Sequence, residues 1–211
     1  ETNVPKIIAL SSDKAVHPVN LYGATKLCAE KLFIQANSYS GSQRKTRFSV
    51  VRYGNVLASR GSVIPFFREQ ISRGEPLTIT DKRMTRFWIT LQQAVEFVMD
   101  SFRIMRGGEV FVPQIPSMKI MDLVSALNYG GKYKVVGIRP GEKIDEYLIT
   151  KDEGPRTYEL ADRYIIEPDF GWWKHGAGKI RANKVIADFS YTSANNIQWI
   201  SIEEMRRLIA S

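Results

Sequence analysis

Apolar residues fall at two different spacings along this chain. Lys6-Ile7-Ile8-Ala9-Leu10 is a short continuous run of the kind a buried strand takes. Leu21, Ala24, Cys28, Leu32 and Ala36 then recur at helical intervals. They predict a helix from residue 20 to about 38, with Asn20 as its cap. Tyr39-Ser40-Gly41-Ser42 supplies the turn chemistry that ends it. Phe48-Ser49-Val50-Val51-Arg52-Tyr53 is rich in β-branched and aromatic residues and predicts a second strand. It runs into Gly54-Asn55-Val56 and a polar loop, Ser59-Arg60-Gly61-Ser62.

The next elements are shorter. Residues 64–72 predict a helix with Pro65 in its first turn, and Leu77-Thr78-Ile79-Thr80 a short strand. Residues 91–105 predict an amphipathic helix carrying Ala94, Val95, Val98, Met99 and Phe102, stopped by Gly107-Gly108. A strand at 110–112 follows. A helix at 119–127 has Ile120, Leu123, Val124 and Leu127 on one side, and a strand at 133–136 comes next. After Lys151 the pattern turns irregular through Trp172-Trp173, and 202–210 closes as an amphipathic helix. This order predicts an α/β fold: the C-terminal part of a Rossmann-like parallel sheet with a smaller α+β substrate-binding lobe. Residues 1–60 belong to the dinucleotide-binding part; residues 61–211 are mainly the lobe, with some segments returning to the first domain. There is no internal repeat.

Composition narrows the class. With 211 residues, 44% hydrophobic and 25% charged, the chain reads as soluble and globular, one large domain or one and a half. No apolar run approaches the ~18 residues of a membrane span. Glu1-Thr2-Asn3-Val4-Pro5 lacks the basic start and apolar stretch of a signal peptide. Cys28 is the only cysteine, which excludes an internal disulfide and a cysteine metal cluster. It fits a reducing cytoplasmic setting and reads as a small core residue.

The formal charge is +8, with basic clusters at Arg44, Lys45 and Arg47 and at Lys82, Arg83 and Arg86. Such clusters suit a solvated surface, nucleic acid, or the phosphates of a small ligand. No aromatic-rich RNA motif, zinc finger or helix-turn-helix pattern accompanies them, so no nucleic-acid partner is expected. None of the 15 glycines forms the G-x-G-x-x-G turn that a dinucleotide fold places after its first strand. The expectation is therefore the C-terminal part of a longer enzyme.

The first strand delivers Ser11, Ser12, Asp13 and Lys14 at its C-terminal end, where ligands bind in open α/β sheets. Tyr22 and Lys26, four apart on the following helix, project from one face. Tyr147 and Lys151 repeat that spacing, but no strand ending in small polar residues precedes them. They read as a surface helix end or loop. The bland alternative for Tyr22 and Lys26 is a half-buried tyrosine beside a solvated lysine; for Asp13 and Lys14 it is a surface ion pair. Of the two histidines, His17 sits in a turn before a proline and takes no catalytic part; His175 has no assigned role.

Tyr22-Gly23-Ala24-Thr25-Lys26 behind Ser11-Ser12-Asp13 resembles the extended short-chain dehydrogenase/reductase superfamily. Further strings narrow the resemblance: Ser12-Asp13-Lys14-Ala15, Val51-Arg52-Tyr53-Gly54-Asn55-Val56, Ser59-Arg60-Gly61-Ser62-Val63, Arg83-Met84-Thr85-Arg86-Phe87-Trp88 and Arg139-Pro140-Gly141-Glu142. Together they are similar to the inverting UDP-N-acetylglucosamine 4,6-dehydratases that begin pseudaminic acid synthesis for flagellin glycosylation. The resemblance runs through essentially the whole chain. It implies that roughly the first 110 to 120 residues of the family's chain, one βαβαβ half, lie outside this sequence.

The resemblance implies roles. Tyr22 is the base on the sugar C4 hydroxyl, and the Lys26 ammonium favours its phenolate and holds the nicotinamide ribose. Asp13 is the acid for the departing C6 hydroxyl, and Lys14 the base at C5. Ser11, Tyr22, Lys26 and Val56 contact the cofactor, expected to be NADP, with NAD the alternative. Asn55, Arg60, Arg86, Arg139 and Glu142 bind the UDP-sugar, arginines being suited to a diphosphate. For each arginine the bland alternative is a solvated surface residue. A cytoplasmic homo-oligomer without membrane or metal is implied. Relatives that retain the C5 configuration commonly carry Asp-Glu where this chain has Asp13-Lys14, or lack the tyrosine at position 22. The alternatives are a UDP-sugar C4 epimerase, a C5-retaining dehydratase, or a non-catalytic module that binds a nucleotide sugar or an acidic partner.

Overall fold

The structure, a computed structural model, describes residues 4–39, 46–127, 130, 132–170, 173 and 182–210. The chain forms two units, each assembled from three separated stretches. Unit 1 is Glu1–Tyr53, Gln92–Gln114 and Tyr147–Tyr191; unit 2 is Gly54–Leu91, Ile115–Glu146 and Thr192–Ser211.

Unit 1 starts as a βαβ element: β1 (Lys6–Ser12), α1 (Leu21–Tyr39) and β2 (Arg47–Tyr53). β1 and β2 run parallel in register from Lys6↔Arg47 to Ser12↔Tyr53. Asn20 caps α1, its Oδ1 accepting the Gly23 N–H at 2.8 Å. From the second stretch come α3 (Leu91–Ile104) and β6 (Val110–Pro113), which pairs parallel with β2. Gly107 and Gly108, at φ 104° and 99°, make the turn between them. The third stretch adds β9 (Tyr147–Ile149), β10 (Thr157–Glu159), β11 (Arg163–Ile166) and β12 (Asn183–Lys184). The sheet order is β1-β2-β6-β11-β10-β12, parallel to β6 and antiparallel beyond. Val51, Phe97, Met105, Phe111 and Ile165 form its core.

Several expectations are corrected here. Residues 147–149 are a strand with Leu148 and Ile149 fully buried, not a surface helix end. The stretch after Lys151, read as irregular, adds β11, β10 and β12 to this sheet, because antiparallel pairing of β11 onto β6, of β10 onto β11 and of β12 onto β10 decides their form. β1 is half-buried rather than buried, with Leu10 exposed, since it stands at the edge of the described sheet. α1 buries Gly23, Glu30 and Ile34, while Leu21 (80%) and Leu32 (64%) are exposed. Cys28 is likewise exposed, not a core residue. α3 buries Ala94, Phe97 and Ser101, leaving Val95, Met99 and Phe102 exposed. In both helices a polar side chain occupies the buried stripe, so hydropathy alone misplaces the face.

Unit 2 contains β3 (Asn55–Val56), α2 (Val63–Ser72), β4 (Leu77–Ile79), β5 (Thr85–Ile89), β7 (Ser117–Lys119), α4 (Ile120–Ala126), β8 (Tyr133–Val135) and α5 (Ile202–Ala210). β5 lies between β3, parallel, and β7, antiparallel; β4 and β8 pair parallel. Ile64, Phe67, Leu77, Ile79, Trp88, Met118, Leu123 and Met205 are the centre of its core. Arg206 of α5 donates to the Ser125 and Ala126 carbonyls at 3.1 and 3.4 Å, satisfying the end of α4. The short β13 (Tyr191–Thr192) pairs with β9 where the chain leaves unit 1.

Arg44, Lys45, Trp172, His175 and residues 40–42 lie outside the described residues. Of the second basic cluster, Arg83 pairs with Asp81 at 2.7 Å, and the Lys82 ammonium lies 5.0 Å from the centre of the Tyr133 ring. Among the described residues no helix is long and apolar enough to cross a membrane, and no acidic, histidine or cysteine group could hold a metal ion.

Candidate active site

β1 ends at Ser12 and passes directly into a 3₁₀ turn, Asp13–Ala15. The Ser12 hydroxyl caps that turn by accepting the Lys14 N–H at 3.1 Å. Asp13 is wholly buried (0%), and its Oδ1 accepts from the Lys14 ammonium at 3.0 Å. The Lys14 side chain remains partly exposed. A carboxylate removed from water is thus matched to an amine that still reaches it, and a buried charge requires such a partner.

The first turn of α1 packs back on this 3₁₀ turn. A Cβ at Gly23 would stand 2.4 Å from the Lys14 carbonyl oxygen and 3.0 Å from the Pro18 Cβ. Glycine therefore sets how closely the helix approaches the acid–amine turn. Tyr22, beside that glycine, is 55% exposed. The Lys26 ammonium sits 5.9 Å from the centre of the Tyr22 ring. His17, at φ 46°, packs edge-on against Tyr147 at 5.2 Å.

Ser11, on β1, is buried. Its hydroxyl turns inward and donates to Glu30 Oε2 at 2.8 Å, which commits its proton to the protein interior.

The substrate candidates lie in unit 2. Asn55 and Val56 are half-buried in β3, paired with Trp88 and Ile89. Arg60 is exposed in its loop. Arg139 is exposed and Glu142 is half-buried; a turn brings them together. In it the Glu142 N–H donates to the Arg139 carbonyl at 3.1 Å, and the Arg139 N–H to Glu142 Oε2 at 3.4 Å. Arg86 is already engaged: it donates to the carbonyls of Thr85 (2.7 Å), Ile144 (2.8 Å) and Lys143 (3.0 Å). Its guanidinium anchors the stretch that follows the Arg139–Glu142 turn.

The family model described as polysaccharide biosynthesis protein matches residues 1–168. The chain belongs to that family. Two Campylobacter jejuni relatives named UDP-N-acetylglucosamine 4,6-dehydratase (inverting) are each 50% identical to this family member, covering 99% of it and 64% of their own length. A Rickettsia canadensis relative named UDP-glucose 4-epimerase is 38% identical, covering 99% of this chain and 62% of its own. The crystal structure of Pen from Bacillus thuringiensis superimposes with a TM-score of 0.83 at 38% identity, covering 99% of this chain and 62% of that one. A dTDP-glucose 4,6-dehydratase from Bacillus anthracis, in complex with NAD, shares the fold at a TM-score of 0.54 and 16% identity, over 64% of this chain and 51% of that one. The expected Rossmann-like α/β architecture is therefore the one this family member has. The chain spans less than two thirds of the length of the curated relatives it matches, 64% in the Campylobacter proteins.

Three residues of this family member, Glu30, Arg52 and Glu153, are not singled out by sequence pattern. Arg52, 1% exposed, donates through Nε to Glu30 Oε2 at 3.1 Å and through its terminal nitrogens to Glu30 Oε1, Glu153 (2.9 and 3.0 Å) and the Leu148 carbonyl (2.8 Å). Burial by itself would lower the Arg52 pKa; the charges and hydrogen bonds of Glu30 and Glu153 outweigh it and raise it. Burial likewise pushes Glu153 up, and Arg52 with the Thr150 N–H overrides it, holding that carboxyl at about 2. A signal does exist: Arg52 interrupts a buried apolar strand, a position a lone cation does not occupy unpaired.

Proposed function

We propose that the complete protein carrying this chain is a sugar-nucleotide 4,6-dehydratase. It takes UDP-N-acetylglucosamine to a UDP-4-keto-6-deoxy-L-hexosamine with inversion at C5. The observation that carries this reading is the Asp13–Lys14 pair, joined at 3.0 Å at the tip of β1, against the helix turn that bears Tyr22 and Lys26.

The residues present suit a nicotinamide cofactor on one observation: Tyr22 is exposed on the helix turn at the C-terminal end of β1, with a cation beside its ring. Tyr22 and Lys26 are the groups that would hold its ribose, and Val56 would line it. Ser11 reaches it only through its backbone, given its bond to Glu30. NADP is the expected form, with NAD the alternative. When bound, a nicotinamide there would supply the hydride acceptor for oxidation at C4 and the hydride donor for reduction at C6.

Tyr22, as phenolate beside the Lys26 ammonium, takes the C4 hydroxyl proton. The resulting C4 ketone acidifies C5–H. Lys14, as neutral amine, removes that proton, and Asp13, as neutral acid, protonates the C6 hydroxyl so that water leaves and a C5–C6 double bond forms. Proton transfer from ammonium to carboxylate along the Asp13–Lys14 hydrogen bond then restores the amine and the acid. Tyr22 gives its proton to C5 from the opposite face, which inverts that centre and regenerates the phenolate. Arg60, Arg139, Asn55 and Glu142 are the groups assigned to the sugar nucleotide. Arg86 assists by holding residues 143–144.

A second reading, C4 epimerisation, draws on the epimerase-named relatives at 38% identity. It has no use for an acid–amine pair. The test is product analysis of the complete protein with UDP-N-acetylglucosamine and NADP in deuterated water. A 4-keto-6-deoxy product with deuterium at C5 is expected; Tyr22→Phe abolishes turnover and Lys14→Ala stops exchange at C5. A C4 epimer as the sole product, or normal C5 exchange in the lysine variant, overturns the assignment.

A further inference from the structure

We propose that Glu30 and Arg52 are positioning residues for this site: a buried clamp that sets where Tyr22 and Lys26 stand relative to Asp13 and Lys14. The inference rests on the catalytic reading above.

Glu30 lies one helical turn beyond Lys26 and about two beyond Tyr22, on the same helix. Its carboxylate, 1% exposed, accepts from Ser11 at 2.8 Å and from Arg52 at 3.1 Å. Ser11 stands two residues before Asp13 on β1, and its register partner on β2 is Arg52. One carboxylate on α1 is therefore held by two adjacent strands at the end that carries the acid–amine turn. The remaining donors of Arg52 bind Glu153 and the Leu148 carbonyl, and so fix β9. Tyr147 of β9 in turn meets the ring of His17, three residues beyond Lys14.

Stability alone does not call for these residues, because well-packed apolar side chains of similar volume often replace buried ion pairs or triads without loss. Apolar packing does not define position as a forked guanidinium does. Paired bonds between a planar cation and a carboxylate fix both the rotation and the axial setting of a helix. Ser11, expected to touch the cofactor, acts in this arrangement through Glu30.

The test uses the complete protein and the variants Glu30→Gln, Ser11→Ala and their double. Glu30→Gln keeps the shape of the side chain; Ser11→Ala removes one hydrogen bond and leaves the ion triad intact, so it serves where the first fails to fold. Each single variant is expected to lower kcat about 10- to 100-fold while KM for the UDP-sugar stays within about threefold. Each is also expected to shift the acidic limb of the kcat–pH profile, and the double variant to be no worse than Glu30→Gln, since both act through one contact. Amide exchange across residues 21–26 is expected to accelerate about tenfold or more, with the β2–β6 ladder unchanged. Lower melting with an unaltered kcat and pH profile would make the cluster structural only and overturn the proposal. So would a Ser11→Ala variant that raises KM for the dinucleotide at constant kcat, or unchanged exchange across 21–26. Wild-type protein that fails to dehydrate UDP-N-acetylglucosamine sinks the catalytic reading instead, and the exchange measurement then decides the clamp by itself.

Discussion

Gly23 lies so close to the main-chain carbonyl of Lys14 that a β-carbon there would stand 2.4 Å from its oxygen. Backbone cannot retreat as a flexible side-chain tip can, so Gly23→Ala must push α1 off the Asp13–Ala15 turn. The expected cost is about 1–3 kcal/mol, a fall in melting temperature of roughly 2–12 °C for a chain of this size. Turnover of the complete protein, on the proposed reading, should fall more than its folded fraction does. Thermal unfolding and kcat measured on the same preparation separate the two effects.

Glu153 gives the chain an acid sensitivity with a defined window. Its carboxyl, ordinarily near 4.5, is held at about 2 in the folded state. A depressed folded value means stability fully present above about 4.5 and lost as pH falls toward about 2. The contribution is of the order of a few kcal/mol. Urea unfolding across pH 2 to 6 should show wild type losing stability through that window. Glu153→Gln should lie lower at neutral pH and show a flatter profile.

Arg86 donates to three backbone carbonyls, two of them in residues 143–144. Arg86→Lys keeps the charge but has no fork to span them, so about 2 kcal/mol of local anchoring should be lost. Faster proteolysis or amide exchange across 139–146, with the rest of unit 2 unchanged, is the expected result. Direct diphosphate recognition by Arg86 would appear instead as a loss of UDP affinity with unchanged local exchange.

Glu109 is buried and accepts from the Ser49 hydroxyl (2.7 Å), the Arg106 N–H (2.8 Å) and the Gly107 N–H (2.8 Å). Glu109→Ala strands three donors next to β2 and should cost about 2–4 kcal/mol, read as a lower urea midpoint at constant m-value. Glu109→Gln keeps an acceptor and should cost less.

The β1–α1–β2 element, and with it the placement of Asp13, Lys14, Tyr22 and Lys26 near its tip, is legible in sequence because it depends on local pattern: an apolar run, a capped helix and turn chemistry at the strand end. The buried face of α1 is not legible, since Glu30 sits on it and a glutamate counts as outward until its partner on β2 is known. β10 and β11 escape for a related reason. Residues 163–166 become strand through pairing with β6, about 50 residues earlier in the chain, which no short window reports. The pattern marks Arg86 as a functional arginine but does not report the three carbonyls it holds, since two of them lie 57 and 58 residues further along the chain.

The assembly of each unit from three separated stretches has a consequence for biosynthesis. β6 emerges from the ribosome well before β11, which covers its far edge. Until residues 163–166 are made, Val110-Phe111-Val112 presents an uncovered apolar strand edge, ready to pair with another nascent chain. Translation of the third stretch is thus what ends the aggregation hazard, and a stalled or truncated message would leave a product that chaperones must shield or proteases remove.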